Sequence, residues 1–338
     1  MYKVIDNKKG AKEHFKDYAE KIRLEVESYL ASKSAGFRNT YVGSFLEKIA
    51  STDTTSMGSG SLLERLLIGD FQQQKVLINE IYADLNNEEA IIHGSIKDFI
   101  NIMDDLFVKK FYGNSSFFIK EKHIERVGIE VCPYCGRNYI FSVAKKSKTN
   151  PNTRVKPQID HFLPKSDYPY LALNYYNLIP SCIPCNMSPC KWTNDPIGID
   201  HSHEYLMQPY EFRKEDVVFR YVPTTSIYKD FSVSVFMDCK KPELEVGYKG
   251  WLVLDKLYGK HNGVVTRMFV QLNSIVAREY NKYLKEKFKV PLSFLEKIPT
   301  MMFGYDLDDS QAPFIALHKF KKDIFNQIKK DVGDYSTI

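Results

Sequence analysis

Cys132-Pro133-Tyr134-Cys135-Gly136 and, further on, Cys182-Ile183-Pro184-Cys185-Asn186 are the stretches on which the fold of this 338-residue chain turns. Two thiolates separated by two residues grip a metal ion from one tight turn, and two such turns complete a tetrahedron. Each pair carries a proline inside it, and Gly136 follows the first directly. Disulfides are the competing use of paired cysteines, and a thioredoxin-like redox pair is a second. Residues Met1 to Lys9 lack the apolar core of a secretory signal, which predicts a reducing, cytoplasmic setting where disulfides are rare. Two spaced pairs also argue against a redox motif. The pattern therefore predicts a structural Zn²⁺ held by Cys132, Cys135, Cys182 and Cys185. Four thiolates leave no coordination position open for chemistry. Cys190 and Cys239 read as ordinary buried thiols.

Between the knuckles lies Gln158-Ile159-Asp160-His161-Phe162-Leu163-Pro164-Lys165, followed by Tyr176-Asn177-Leu178-Ile179-Pro180-Ser181. After the second knuckle comes Asn186-Met187-Ser188-Pro189-Cys190-Lys191. Singly these residues say little, because a His beside an Asp is usually structural and asparagines commonly cap helices and turns. As an ordered set, the segment resembles the HNH endonucleases, the ββα-metal nuclease family, in its zinc-knuckle branch. The matching elements are Cys132/Cys135, Asp160-His161, Asn177-Leu178, Cys182/Cys185-Asn186 and Lys191.

The resemblance implies metal-dependent hydrolysis of DNA phosphodiester bonds. His161 would act as general base, Asp160 and Asn186 would hold a catalytic Mg²⁺ or Mn²⁺, and Asn177 would orient the histidine and its loop. The residue types suit that chemistry: a neutral imidazole accepts a proton near neutral pH. A hard divalent cation takes a few oxygen ligands and keeps several waters. The expected local structure is a strand ending near Asp160-His161, a second strand over Leu178 to Ser181, and a short helix beginning around Asn186. Asp160 and His161 would point to opposite faces of a regular strand, so the strand must end or twist there, which Pro164 favours. Lys165, Lys191 and Arg137 are the candidate nucleic-acid contacts. Trp192, Tyr168, Tyr170, Tyr175 and Tyr176 read more readily as packing than as base-stacking platforms. Pro189 and Cys190 depart from the polar or basic residues common at those places. The run Asp160-His161-Phe162-Leu163-Pro164-Lys165-Ser166 through Cys182 is further similar to stand-alone HNH proteins of Septu-type anti-phage systems. That likeness implies a defence effector working with a separate ATPase subunit. The alternative is a non-catalytic zinc-ribbon module that binds nucleic acid or docks a partner, since fold alone does not fix function.

The chain carries 47 Lys and Arg against 42 Asp and Glu, a formal net charge of +5. From Cys132 to Ile159 the basic residues are Arg137, Lys145, Lys146, Lys148, Arg154 and Lys156, with no acidic one. Such a field attracts polyanions, although a charge run alone is usually a solvated loop. Hydrophobic residues at 43% and charged ones at 26% exclude a disordered tail, a collagen-like chain and a coiled-coil rod. No run of ~18 apolar residues is present to span a bilayer.

The expected fold class is α+β: a mostly helical protein with an embedded zinc-stapled ββα-metal (HNH) core. Its predicted parts are a helical region over 1–125, the zinc-bearing core over 126–200 and an α+β region over 201–338 ending in long helices. Phe15, Tyr18, Ile22, Val26 and Leu30 fall at helical spacing, as do Leu62 to Leu67, Val76 to Leu85, and Ile96 to Phe111 with Gly113 as stop. Ser51 to Ser61 reads as a loop. Val217 to Val222 and Phe231 to Val235 read as strands, Val265 to Leu284 as a long amphipathic helix and Phe314 to Ile328 as a last one. No internal repeat, Gly-rich phosphate loop or ATPase signature is present.

Overall fold

Asn7, Thr40, Ser61 and Asp70 each accept a hydrogen bond from a backbone N–H three residues on, and each starts a helix there. The short polar side chain satisfies an amide that the first helical turn leaves without a partner. Asp70 does so reciprocally, since Gln73 reaches back to the Asp70 amide in a capping box. The computed structural model describes residues 1–55, 57–58, 60–86, 96–144, 154–224, 232–273, 282–283, 286–289 and 308–332. They divide into two units, one of 4–129 with 140–210 and one of 1–3, 130–139 and 211–338.

The first of these units is built on α1 (Lys8–Ala31), which buries His14, Phe15, Tyr18, Ile22, Val26 and Leu30 along one stripe. Helices α2 (Ala35–Arg38), α3 (Tyr41–Ala50), α4 (Leu62–Ile68) and α5 (Phe71–Leu85) follow, α3 and α4 packing on α1. Helix α6 (Ile96–Met103) runs on as a π-helix over Asp104–Tyr112 and stops at Gly113, as its composition predicts. Helix α7 (Lys120–Val127) ends at Gly128, whose φ of 66° lies in the left-handed region that glycine enters without a steric penalty. Helices α3 and α7 have no counterpart in the sequence expectations, although Val42, Phe45, Leu46 and Ile49 are buried at helical spacing.

Short strands β1 (Val143–Ala144) and β2 (Arg154–Val155) pair antiparallel. Strand β3 (Gln158–His161) pairs antiparallel with β4 (Leu178–Ser181), setting Asp160 opposite Ile179 and His161 opposite Leu178. Both strands fall where expected. The helix after them, α8 (Ile183–Asn186), ends at Asn186 where a helix was expected to begin. Pro184 in its first turn supplies the reason, being pre-set in φ for a helix start.

In the second unit, β5 (Val217–Pro223) pairs antiparallel with β6 (Val233–Cys239). Val217, Phe219 and Tyr221 alternate with more exposed neighbours, as do Val233, Val235 and Met237, so one face of the hairpin is apolar. Helices α9 (Pro242–Glu245), α10 (Leu254–Gly259), α11 (Asn262–Asn273) and α12 (His318–Val332) complete it. Asp323 and Gln327 of α12 accept hydrogen bonds from the backbone amides of Phe219 and Tyr221, which closes the outer edge of β5. The predicted strand start at Phe231 lies outside the described residues. So do Ile275, Val276, Tyr280 and Leu284 of the predicted long helix. Phe314 and Leu317 precede α12, and Leu317 has a φ of 61°.

The whole is a predominantly helical α+β fold with three two-stranded antiparallel sheets among the described residues. No helix among them is long and apolar enough to cross a membrane.

Candidate functional site

The Cys132-x-x-Cys135 turn closes through Gly136 N–H donating to the Cys132 carbonyl at 2.8 Å. Gly136 sits at φ 63°, and a Cβ there would collide with the backbone nitrogen of Met1, so the position demands glycine. The second turn repeats the pattern, with Cys185 N–H donating to the Cys182 carbonyl at 3.1 Å and Asn186 N–H to the same oxygen at 3.2 Å. All four cysteines are buried and none is in a disulfide. Their sulfurs lie within 4.8 Å of one another. A Zn²⁺ ion with Zn–S bonds of about 2.3 Å sets tetrahedral sulfurs about 3.8 Å apart, so this set fits the ion. Bound there, zinc would join the two knuckles into one cross-link and would have no site for substrate.

The segment between the knuckles lines a cleft of about 360 Å³ with Tyr112, Asp160, His161, Lys165, Asn186 and Trp192 on its walls. The hairpin thus brings the Asp-His pair and Asn186 together. Asn177 is completely buried: it accepts from Leu163 N–H at 2.7 Å and donates to the carbonyls of Leu163 and Leu171. It pins the loop that leaves His161.

The side chains nevertheless do not form the expected catalytic arrangement. Among the described residues, the cluster of His, Cys, Asp or Glu able to hold an ion is the four-cysteine one. Asp160, 4% exposed, has as its counter-charge the ammonium of Lys191, which has no exposed surface. Lys191 Nζ lies 3.1 Å from Asp160 Oδ2 and donates at 2.9 Å to the His161 carbonyl. Asn186 donates through Nδ2 to Gln158 Oε1 at 2.8 Å. The His161 ring is buried, and its Nε2 donates at 3.1 Å to the Ala172 carbonyl. Burial above all, with help from the ammonium groups of Lys165, Lys191 and Lys120, pushes its pKa down to about 3. A base of such low proton affinity is badly matched to taking a proton from water at neutral pH. The expectation of an HNH endonuclease, a phosphodiester hydrolase using His161 as base and Asp160 and Asn186 as ligands of Mg²⁺ or Mn²⁺, is therefore corrected. What the structure shows instead is a buried all-cysteine cluster that could hold a structural metal ion, and the anti-phage cleavage role implied by the same likeness falls with the chemistry.

Of the candidate nucleic-acid contacts, Lys165 is exposed at the cleft with its ammonium 5.4 Å from the centroid of the Tyr112 ring. Arg137 is half-buried, donates through Nε to His261 at 3.2 Å and lies over Tyr258. Lys120 of α7 does not stand out in the sequence, yet its ammonium lies 4.7 Å from the same Tyr112 ring. Burial, then the ammonium groups of Lys156 and Lys165, hold its pKa below the usual lysine value. Lys156 also pairs with Glu121 at 3.0 Å. Nothing in the run Lys120-Glu121-Lys122 separates Lys120 from an ordinary solvated lysine. Its partnership with Tyr112 arises from the packing of α7. Trp192, expected in the interior, is 56% exposed.

No protein-family profile, curated protein or solved structure matches this chain.

Proposed function

We propose that the chain is a non-catalytic, zinc-stapled nucleic-acid-binding module. In this reading β3, β4 and α8 form a ββα-type scaffold, used for its surface and not for hydrolysis. The observation that carries it is the approach of the Lys120 and Lys165 ammonium groups to the Tyr112 ring, with Tyr112, Lys165 and Trp192 lining one cleft. Partial burial first, and then the ammonium groups of Lys156 and Lys165, lower the proton affinity of Lys120. A phosphate backbone relieves that repulsion and releases counterions on binding. The exposed indole on the same cleft as Lys165 offers a flat surface on which a base can stack. Residues 126–200 supply Lys156, Lys165, Trp192 and the four zinc ligands, and the helical region before them supplies Tyr112 and Lys120.

The test is fluorescence anisotropy with labelled DNA and RNA oligonucleotides across a salt series, together with a plasmid cleavage assay in Mg²⁺ and Mn²⁺. Expected are salt-dependent binding and an intact plasmid under both ions. Lys120→Ala/Lys165→Ala should flatten the slope of log K against log salt by about 0.7–0.9 for each phosphate no longer neutralised. Absence of salt-dependent binding by the zinc-loaded protein, or an unchanged slope in the double variant, would overturn the proposal.

A further inference from the structure

We propose that His14 and His123 form an acid-sensitive latch, His14 tying α1 to the connector before β4 and His123 tying α7 to the first residue of β4, which protonation loosens by placing a charge on a buried Nδ1 that has no partner. His14 of α1 and His123 of α7 are 0% and 1% exposed. Each sends its Nε2 to a backbone carbonyl at 2.7 Å, His14 to Leu173 and His123 to Leu178. A carbonyl only accepts, so in both rings Nε2 carries the hydrogen and Nδ1 holds the lone pair. Neither Nδ1 has a hydrogen-bond partner. The site that would take up a proton is thus buried and unpartnered in both rings.

The surroundings make that proton hard to hold. The two ring centroids are 5.9 Å apart, so a charge on one opposes a charge on the other. Tyr18, Phe118 and Tyr175 close the box around His14, and Phe118 and Tyr175 also flank His123. Arg126 of α7 acts on both rings and disfavours a charge on either. The carboxylates within reach are already engaged. Asp17 of α1 accepts from Arg126 at 2.7 Å and pairs with Lys122 at 3.3 Å, while Glu13 lies 3.5 Å from Arg126. Asp6, ahead of α1, accepts from the Tyr176 hydroxyl. Asp17 alone of these three favours a charge on His14, and Arg126 and Lys122 already share it.

The direction follows from linkage. Burial, then the neighbouring His123, lowers His14 to about 3, and burial followed by Arg126 lowers His123 to about 4. Unfolded, both rings titrate near 6.5. Above that pH both states are neutral and the latch contributes its full stability. As pH falls from 6.5 toward the folded values, the unfolded chain binds protons that the folded one refuses, and stability drops by up to two protons' worth. Below the folded values the loss is complete.

The experiment compares wild type with His14→Gln/His123→Gln, zinc-loaded, by urea unfolding at pH 7.0, 6.0, 5.0 and 4.5. A glutamine amide still donates to the carbonyl and does not titrate. The zinc thiolates and the carboxylates respond alike in both proteins, so the difference between them isolates the pair. Expected is an extra fall in the wild-type folding constant of up to ~100-fold per pH unit, absent from the variant. Equal pH slopes overturn the latch. Should the variant not fold, ¹⁵N-histidine NMR on wild type decides. Two Nε2–H tautomers that do not titrate until the protein unfolds support the latch, and a midpoint near 6.5 for either ring in the folded state overturns it.

Discussion

Replacing Lys191 with methionine is the sharpest perturbation of the cleft floor. Its Nζ has no exposed surface and lies 3.1 Å from Asp160 Oδ2, itself in a residue only 4% exposed. Methionine fills much of the aliphatic stem but removes the ammonium that faces this desolvated carboxylate. Breaking a buried pair from one side costs about 3–5 kcal/mol. The hydrogen bond to the His161 carbonyl adds about 1 kcal/mol. Against a total stability of about 5–15 kcal/mol the variant should lose a large share of its fold, with a fall in urea midpoint and an unchanged m-value. Lys191→Met/Asp160→Asn removes both charges and should recover at least ~2 kcal/mol of the single-variant loss, since the coupled pair is non-additive. The assay is urea denaturation of zinc-loaded protein followed by circular dichroism, run as a double-mutant cycle. A loss below about 1 kcal/mol for Lys191→Met, or strict additivity in the double variant, would mean that Asp160 does not depend on this ammonium. The Lys191 pair would then carry no weight against a cation at Asp160, and the correction of the catalytic expectation would rest on the all-cysteine cluster alone.

Elemental analysis should find one zinc per chain, and Cys182→Ser should lower both the zinc content and the melting temperature. Metal-free protein of unchanged melting temperature would refute the structural role of the cluster. Trp192→Ala should weaken oligonucleotide binding by about 1–3 kcal/mol if a base stacks on the indole. Its thermal stability should stay within ~0.5 kcal/mol, because the ring lies largely in solvent. A loss of stability larger than the loss of affinity would place Trp192 in the packing. Asp70→Ala should cost about 0.5–2 kcal/mol in urea unfolding, because it removes the carboxylate half of the capping box at α5.

Short-range chemistry was legible in the sequence. The paired cysteines announced their cluster, and Leu178 to Ser181 announced a strand, because a turn and a strand are decided by residues a few positions apart. Most helices that begin at a capped residue and bury a clear stripe were legible too. Helix α3 was missed although Thr40 caps it, since its ten residues sit beside a run of serines and threonines that reads as loop. Helix α7 was missed because its buried residues are only His123, Ile124 and Val127. The catalytic trio was misread for a different reason. A motif specifies which residue types are present, whereas the partner each one takes depends on how a segment up to 31 positions away folds back, as Lys191 does on Asp160.

Lys191 and Trp192 show how sharp that dependence is. By residue type the lysine belongs outside and the indole largely inside, and residue type alone offers no ground for anything else. The backbone reverses both. Lys191 N–H donates to the Cys185 carbonyl, folding the residue onto the zinc knuckle and its side chain toward Asp160. Trp192 follows at φ 40°, a left-handed conformation costly for any residue but glycine, and its ring ends in solvent. A bulky apolar ring turned outward on strained backbone gains nothing from folding alone. If a base stacks on it, as the proposed nucleic-acid binding requires, the ring would recover in binding the burial it lacks in the free protein, with Lys165 on the same cleft.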